Sequence, residues 1–366
     1  MSDEAYMKIA LECAKNGCGW VNPNPMVGAV IVKDSRVIGV GFHRKYGGMH
    51  AERKALASCT ESPKGATLYV TLEPCCHYGK TPPCTEAILE SGIKRVVVGS
   101  VDPNPLVAGK GIQILRQHGI QVEVGVLREP CIAINEVFFH FIQTKMPYVV
   151  MKYAMTMDGK IATYSGQSEW ITGEAARRHV QEDRHRYSGI MVGVGTVLSD
   201  NPLLTCRLKN SRNPVRIICD SKLRTPLDAR VVKTSGEAHT IFATCSEDES
   251  RIRRYQEAGC EVMALKPDDG RVDMHELMAE LGEKGIDSIL LEGGSTLNWS
   301  ALQSGVVNKV QAYIAPKLLG GVGAKSPVEG IGVESLKEAF KLTAPEVTHL
   351  GEDILLESEV VACSQE

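Results

Sequence analysis

The sequence predicts an α/β protein made of two domains. Its 366 residues are more than one average domain requires, so two domains of ordinary size are expected. Apolar, β-branched segments alternate with helical segments in both halves, which is typical of sheets covered on both faces. Pro147 follows a helical stretch and opens a strand-rich one, so we predict domains at residues 1–145 and 146–366.

The N-terminal half alternates strands and helices after a first helix over about residues 3–17. The predicted strands lie in "MVGAVIVKD", "RVIGVGFH", "ATLYVTLE", "KRVVVGSVD" and "IQVEVGV". The predicted helices lie in "HAERKALASC", "CTEAILESG", "GKGIQILRQHG" and, as one continuous helix, "EPCIAINEVFFHFIQTK".

The C-terminal half has its own alternation of strands and helices. After the opening segment "MPYVVMKYAMTMDGKIAT", strands are predicted in "GIMVGVG", "PVRIICD", "HTIFATC", "CEVMALK" and "SILLEGG". The two halves share no internal repeat.

Composition and charge exclude several classes of protein. A net charge of −3 gives no electrostatic reason to bind nucleic acid or an anionic membrane. The chain has no run of about 18 apolar residues, so no membrane-spanning helix is expected. The N-terminus lacks the basic start of a signal peptide, and the twelve cysteines are scattered. We therefore expect a cytoplasmic protein with free thiols.

A cluster of histidine and cysteine residues predicts a zinc site in the first half. "HAE" at 50–52 begins a helix, and "EPCC…PPC" follows a strand about twenty residues later. A catalytic zinc needs three protein ligands, an open position for water and a proton-transferring group nearby. Nucleobase deaminases meet this need with one His or Cys, two further Cys and the glutamate of an H-x-E motif. His50 and Glu52 fit the H-x-E pattern.

Two of the three clustered cysteines are expected to complete the zinc site. Adjacent Cys75 and Cys76 in extended or turn geometry point apart, so one of them should pair with Cys84. We choose Cys75, which directly follows Pro74, and predict His50, Cys75 and Cys84 as ligands with Glu52 as the catalytic acid/base. A structural zinc site with His77 or Cys76 as a fourth ligand stays open as an alternative.

The motifs around this cluster resemble one enzyme family. The usual deaminase signature is C-x-x-C, whereas eight residues separate Cys75 from Cys84. "HAE", "TLEPC", "HYGKTPPC" and "DPNPLVAGKG" together closely resemble the deaminase half of the bifunctional riboflavin-biosynthesis deaminase/reductase family. That family commonly has serine where Cys76 stands, so here a spare thiol lies beside a ligand.

The resemblance implies a fold, a substrate and further site residues for the first half. The fold would be the cytidine-deaminase-like three-layer α/β/α arrangement. The substrate would be 2,5-diamino-6-(5-phosphoribosylamino)pyrimidin-4(3H)-one, whose exocyclic amine a zinc-held water replaces while Glu52 transfers protons. Asn24 and His43 would line the pocket, and Lys80 and Thr81 would lie near the phosphate.

The second half contains a candidate phosphate-binding site. "SILLEGGSTLNWSAL" is predicted to be a strand, a Gly–Gly turn and a helix, and free N–H groups at a helix N-terminus bind phosphate. Alone, such a turn is more often a tight connection without a ligand. "KYAMTMDGKIAT", "SGQSEWITG", "VGVGTVLSDNPLLTCR", "DSKLRTP", "LLEGGSTL" and "APKLLGG" resemble the reductase half of the same family, in the same order.

This second resemblance implies a dihydrofolate-reductase-like α/β domain that uses NADPH to reduce the ribosyl chain to ribityl. The implied NADPH contacts are Ala154, Trp170, Thr196, Asp200, Ser221, Gly294, Ser295, Thr296, Leu297, Asn298, Trp299 and Ser300. The implied substrate contacts are Ser168, Arg184, Leu204, Arg207 and Glu292. Arg184 and Arg207 are suitable clamps for a dianionic phosphate. Lys152, in a strand directed at the site, is a candidate for polarising the sugar.

The leading hypothesis is one enzyme that catalyses two consecutive steps on a small phosphorylated pyrimidine, with one zinc and one NADPH. We expect a homo-oligomer, although the sequence itself does not reveal the oligomeric state. Other hypotheses are a nucleoside or RNA deaminase, which the absence of a basic stripe disfavours, and a regulatory nucleotide-binding protein with structural zinc. A deaminase with a degenerate reductase half is a further alternative.

Overall fold

The computed structural model describes residues 1–78 and 82–361. The chain forms two compact units, Met1–Lys145 and Met146–Glu366.

The first unit is one mixed sheet with helices packed on its two faces. The sheet order is β2-β1-β3-β4-β5; β1 is antiparallel to β2 and β3, and β3, β4 and β5 are parallel. Its elements are α1 (Asp3–Lys15), β1 (Gly28–Lys33), β2 (Arg36–Phe42), α2 (Ala51–Ala57), β3 (Thr67–Leu72), α3 (Cys84–Glu90), β4 (Arg95–Ser100), α4 (Lys110–Gln117), β5 (Gln121–Val124), α5 (Arg128–Ala133) and α6 (Glu136–Thr144).

Alternate residues of each strand supply the two layers of core. Val30, Tyr69 and Val97 face α1 and α5, whereas Ile31 and Val96 belong to the layer that packs on α2, α3 and α4. This alternation follows from the two-residue period of a strand. The predicted three-layer α/β/α arrangement is confirmed.

Two strand glycines allow helices to approach the sheet closely. A Cβ atom on Gly28 would lie 1.9 Å from the Ala10 carbonyl oxygen of α1. A Cβ atom on Gly41 would lie 2.3 Å from the Ala55 backbone nitrogen of α2. The helix backbones therefore rest directly on β1 and β2 at these points. The Gly41 Cβ would also lie 2.4 Å from the carbonyl oxygen of Ala51, so this contact fixes the first residue of α2 relative to the sheet.

The prediction of one continuous helix in "EPCIAINEVFFHFIQTK" is wrong. The segment is two helices, α5 and α6, separated at Ile134 and Asn135. The buried Asn135 side chain accepts a hydrogen bond from the Met26 backbone N–H (2.7 Å) and donates one to the Met26 carbonyl oxygen (2.9 Å). The same Nδ2 group also donates to the Cys131 carbonyl oxygen, four positions earlier, at 3.4 Å, and such a local side-chain bond competes with the helical backbone bond.

The second unit is a nine-stranded sheet with order β10-β9-β8-β7-β13-β6-β14-β16-β15. The strands from β10 to β14 are parallel, and β16 and β15 extend the sheet antiparallel. Its elements are β6 (Tyr148–Thr156), α7 (Glu174–Arg186), β7 (Gly189–Gly193), α8 (Val194–Asp200), β8 (Val215–Cys219), α9 (Arg230–Lys233), β9 (Thr240–Thr244), α10 (Glu249–Glu257), β10 (Glu261–Ala264), β11 (Pro267–Asp268), β12 (Arg271–Val272), α11 (Met274–Glu283), β13 (Ser288–Leu291), α12 (Ser295–Gln303), β14 (Val307–Ala315), a 3-10 helix (Leu336–Glu338), β15 (Glu346–Leu350) and β16 (Asp353–Glu359).

Both faces of this sheet are buried around its central strands. One layer packs β-strand residues such as Ile217 and Ile289 against α11 and α12, and the other packs Ile218 and Phe242 against α9 and α10. The five predicted strands of this half, from "GIMVGVG" to "SILLEGG", are confirmed as β7, β8, β9, β10 and β13.

Two further findings bear on the expectations from composition. In residues 1–78 and 82–361, no helix is long and apolar enough to cross a membrane. The cysteines of the same ranges are all free thiols.

Candidate active sites

Three side chains from separate elements meet at the predicted metal centre. His50 immediately precedes α2, Cys75 follows β3, and Cys84 is the first residue of α3. The His50 Nδ1 atom lies 3.4 Å from each of the two sulfur atoms, and all the potential ligand atoms lie within 4.8 Å of one another. Ligands of one tetrahedral zinc are separated by about 3.5 Å, given bonds of about 2.0–2.3 Å. The residues therefore fit a zinc ion.

The neighbouring Cys76 has a different environment. Its sulfur atom is 3.9 Å from the Leu106 carbonyl oxygen, and its side chain is partly exposed. Among the described residues, the group within reach of one ion consists of His50, Cys75 and Cys84. A three-ligand group leaves a coordination position for water, as a catalytic zinc requires.

Glu52 lies beside this group in the first turn of α2. Its side chain is 4% exposed. Burial, together with the charge of Cys75, raises the pKa of Glu52 to about 7. A carboxyl group with this pKa can both accept and donate a proton near neutral pH.

The metal group opens into a cavity of about 330 Å³ that contains two of the predicted substrate residues. The Met49 carbonyl oxygen lies 3.2 Å from His43 Nδ1 and can only accept, so Nδ1 donates to it. His43 Nε2 is then free to accept a hydrogen bond from Asn24 Nδ2, at 3.1 Å. Burial lowers the pKa of His43, which favours this neutral form. Lys80 and Thr81 lie outside the described residues.

Sequence reasoning missed several residues that line the same cavity. Asp102 and Asn104 follow β4, and the Asn104 backbone N–H donates to the Asp102 carboxylate at 2.8 Å. Burial raises the pKa of Asp102 to about 6. Phe138 and Phe141 of α6 supply an apolar wall. The "SVDPNP" segment at the carboxyl end of a predicted parallel strand was the available signal for Asp102 and Asn104.

A second cavity, of about 260 Å³, lies in the second unit. It is lined by many of the predicted reductase residues: Ala154, Ser168, Trp170, Arg184, Asp200, Arg207, Glu292, Gly294, Ser295 and Asn298. Lys152 also lines it. The geometry therefore brings together residues that are far apart in the chain, such as Lys152 of β6, Arg184 of α7 and Asn298 of α12.

The other predicted reductase residues lie outside the lining of this cavity. Leu204 is buried, and Trp299 packs with its ring centroid 6.0 Å from that of Phe340. The Ser221 hydroxyl accepts a hydrogen bond from the Val272 backbone, and the Ser300 hydroxyl accepts one from Arg271. The remaining three lie in α8 and α12: Thr196, Thr296 and Leu297.

The carboxylate of Glu292 contacts two positively charged side chains at the second cavity. Arg184 donates two hydrogen bonds to it, at 2.6 and 3.0 Å, and Lys152 Nζ lies 3.6 Å away. Burial acts to raise the pKa of Glu292, but Arg184 and Lys152 outweigh it and lower the pKa to about 2. Arg184 also donates to the Thr205 carbonyl oxygen at 3.0 Å, so its guanidinium is held in place on two sides.

Comparison with known proteins identifies the family of this chain. Residues 147–356 match the family model "RibD C-terminal domain", and residues 1–100 match "Cytidine and deoxycytidylate deaminase zinc-binding region". A curated relative, the riboflavin biosynthesis protein RibD of Actinobacillus pleuropneumoniae, is 56% identical over 362 residues, which cover 99% of this chain and 96% of the relative.

The chain belongs to the RibD family.

Solved structures of RibD proteins support the same assignment. Acinetobacter baumannii RibD has a TM-score of 0.87 and 37% identity, with 98% of this chain and 99% of that chain covered. The diaminohydroxyphosphoribosylaminopyrimidine deaminase/5-amino-6-(5-phosphoribosylamino)uracil reductase of Thermotoga maritima has a TM-score of 0.84 and 42% identity, with the same coverage. As a RibD protein, the chain is a bifunctional deaminase and reductase of riboflavin biosynthesis, with a zinc-binding deaminase part and an NADPH-using reductase part.

The second cavity of this RibD protein has features that fit a pyridine nucleotide. Gly293 and Gly294 have φ angles of 106° and 91°, a region that favours glycine, and a Cβ atom on Gly294 would lie 3.4 Å from Thr196 Oγ1. The turn leads into α12, whose N-terminal N–H groups suit a phosphate. Asn298 Oδ1 is buried and has no hydrogen-bond partner among the described residues, so a ligand amide or hydroxyl could donate to it.

Proposed function

We propose that residues 1–145 are the deaminase domain and residues 146–366 the reductase domain. The substrate is 2,5-diamino-6-(5-phosphoribosylamino)pyrimidin-4(3H)-one, which is deaminated to 5-amino-6-(5-phosphoribosylamino)uracil; NADPH then reduces its ribosyl chain to ribityl. The observation that supports this most directly is the group of His50, Cys75 and Cys84 within reach of one metal ion, beside a cavity that His50, Cys75 and Glu52 line. The Thermotoga maritima relative carries both activities in its name.

In the deamination, His50, Cys75 and Cys84 would hold the zinc, which would supply an activated water. Glu52 accepts the proton of that water at its carboxylate and delivers it to the departing amine, which leaves as ammonia. The buried position of Glu52 favours both of these roles because its pKa of about 7 lies close to the working pH. Asn24 and the neutral His43 present hydrogen-bonding groups to the pyrimidine.

In the reduction, NADPH would supply a hydride that forms a C–H bond at C1′ of the ribosyl chain, while the bond from C1′ to the ring oxygen breaks and that oxygen takes up a proton. The Gly294–Ser300 turn and helix, with Ala154, Trp170, Thr196, Asp200 and Ser221, hold the cofactor. Ser168, Arg184, Leu204, Arg207 and Glu292 hold the sugar phosphate. Arg184 is engaged by Glu292, so we assign the main contact with the phosphate dianion to Arg207, and Lys152 as an ammonium donates a hydrogen bond to the sugar.

The charge of the protein and the size of its cavities bear on the kind of substrate that it binds. The net charge of −3 and the small cavities suit a small phosphorylated pyrimidine better than nucleic acid. We propose that the protein acts in the cytoplasm as a homo-oligomer.

The test follows ammonia and NADPH together in one reaction with the diaminopyrimidine substrate. We expect ammonia release followed by an equimolar loss of NADPH. Glu52→Gln should lower ammonia release by about 10²–10⁴-fold, since general acid–base catalysis is worth that much, while the zinc content stays the same. Glu90→Gln, an exposed change of the same kind on α3, is the matched control.

Three outcomes would contradict the proposal in different ways. Ammonia without NADPH loss would leave a deaminase with an inactive reductase half. Neither signal, in a protein that holds its zinc, would favour a regulatory nucleotide-binding role. An unchanged rate in Glu52→Gln would exclude Glu52 as the acid/base.

A further inference from the structure

A buried carboxylate that no step above uses lies two residues before the zinc ligand Cys75. Glu73 is 3% exposed and follows the end of β3. Its carboxylate oxygens accept hydrogen bonds from the backbone N–H groups of Asp102 (3.3 Å), Gly109 (2.9 Å) and Ile112 (3.2 Å). Burying a carboxylate costs free energy unless such donors compensate it. A buried carboxylate at this position is therefore expected to have a structural or functional role.

One effect of Glu73 is to cap helix α4 from a distant part of the chain. Gly109 is the N-cap residue of α4, and glycine has no side chain that could accept the free N–H groups of the first turn. The Glu73 carboxylate takes this role for Gly109 and Ile112. A negative charge at a helix N-terminus also interacts favourably with the helix dipole.

A second effect of Glu73 is to hold the segment 102–112 against the residues that follow β3, where the zinc ligand Cys75 lies. Glu73 bonds the backbone of Asp102, which lines the deaminase cavity together with Asn104. The two segments also touch at Gly111, where a Cβ atom would lie only 2.2 Å from the Pro74 carbonyl oxygen. Glu73 and Gly111 therefore determine together how far Asp102 and Asn104 lie from the Cys75 side of the cavity.

We propose that Glu73 is a positioning residue for the deaminase: it holds the Asp102–Asn104 segment at the distance from the zinc ligands that substrate binding requires. The inference rests on the deaminase function proposed for residues 1–145. Each Glu73 oxygen faces a backbone N–H, so the site requires a side chain whose two terminal atoms both accept hydrogen bonds, as in a carboxylate. A glutamine would turn its NH₂ group towards one of those donors.

The test compares Glu73→Gln with Glu90→Gln, which makes the same change of charge at an exposed position of α3. We expect Glu73→Gln to keep its zinc and to raise the KM for the diaminopyrimidine on the order of tenfold, the value of a lost hydrogen bond to a charged group. The value of kcat should change less. Reduction of 5-amino-6-(5-phosphoribosylamino)uracil by NADPH, measured on the same sample, should be unaffected and serves as an internal control.

A second variant reaches the same segment without altering Glu73. Gly111→Ala forces α4 away from Pro74, and we expect the same rise in KM with the zinc retained. Hydrogen exchange adds a readout that does not depend on turnover: in Glu73→Gln, the amide protons of Gly109 and Ile112 should exchange faster, whereas those of β3 should not.

The possible results separate the positioning role from its alternatives. An unchanged KM, or loss of zinc in proportion to loss of activity, would overturn the proposal. Unchanged amide exchange at Gly109 and Ile112 would overturn it as well, whether or not the variant is active. A wild-type protein that releases no ammonia would refute the proposed deamination alone, since amide exchange would still decide whether Glu73 holds the segment.

Discussion

Arg184 and Glu292 form a two-pronged ion pair at the second cavity, with Nε–Oε1 and Nη2–Oε2 distances of 2.6 and 3.0 Å. Arg184 lies in the last turn of α7, and Glu292 directly follows β13. Their side chains are 14% and 8% exposed. A pair this well shielded and this well oriented fixes both side chains, so it also fixes the shape of the cavity.

Arg184→Ala is expected to destabilise the second unit and to abolish the reductase activity. Removing one partner of a buried ion pair leaves an uncompensated charge and costs about 3–5 kcal/mol, here moderated by Lys152. Chemical denaturation followed with a probe in the second unit measures the loss. The control is Arg178→Ala, which breaks the exposed Arg178–Glu182 pair (3.4 Å) and should cost no more than about 1 kcal/mol. Equal effects of the two changes would show that the buried pair has no special role.

Removal of zinc should separate the two activities. After treatment with a chelator, we expect no ammonia release, because the activated water is lost. Oxidation of NADPH with 5-amino-6-(5-phosphoribosylamino)uracil should continue at the original rate, since none of the three ligands lies in the second unit. Readdition of zinc should restore ammonia release. A parallel loss of both activities would argue against separate sites.

Asn135→Ala should weaken the first unit. It should also impair substrate binding by the deaminase, because Asn135 joins the start of α6 to Met26, and both α6 and the residues just before Met26 line the cavity. The change leaves the Met26 N–H and carbonyl groups without the Asn135 partner, at a cost of about 1–3 kcal/mol for each group that stays buried. Denaturation and the KM for the diaminopyrimidine are the two measurements. Asn16→Ala is the control because Asn16 makes similar backbone hydrogen bonds at the exposed end of α1. A KM unchanged beside a clear loss of stability would limit Asn135 to a structural role.

The stability of the first unit should depend on pH through Asp3. Hydrogen bonds from Arg95 (2.9 and 2.7 Å) outweigh burial and lower the pKa of Asp3 to about 2, from an ordinary value of 3.8. A depressed carboxyl pKa stabilises the fold above the unfolded pKa, and the stabilisation disappears as the pH falls through the folded pKa. Asp3→Asn should therefore be less stable than the wild type at neutral pH, with the difference shrinking between about pH 4 and pH 2.

The control for Asp3 is Glu4→Gln, an exposed change in the same first turn of α1. It removes the same favourable interaction with the helix dipole but not the contact with Arg95. A difference between Asp3→Asn and the wild type that stays constant down to pH 2 would contradict the assignment.

Much of the fold follows from local pattern. The strands of the second half are short β-branched runs bounded by glycine, proline or polar residues, and each of the five predicted is a strand in the structure. The break at Asn135 was not predictable, because the apolar pattern continues from Cys131 to Phe141. Only the tertiary contact with Met26, 109 positions away, makes the break favourable.

The site residues also fall into two groups, those that could be predicted from the sequence and those that could not. His50, Cys75 and Cys84 could be chosen from chemistry and spacing, since zinc restricts which residues can bind and how they must be oriented. Asp102, Phe138 and Glu73 carry no such restriction in the sequence. Their roles depend on where β4, α6 and α4 lie in the folded unit, which periodicity alone does not reveal.

The close approach of α1 and α2 to the sheet has a consequence for natural variation. At Gly28 and Gly41 even a methyl group would overlap helix backbone, so these positions should tolerate no other residue, although neither takes part in the chemistry. A scan of all single substitutions would then show these two glycines as intolerant as the zinc ligands. Intolerance at these two positions would then result from the short distance between helix and sheet, and it would not indicate a second functional site.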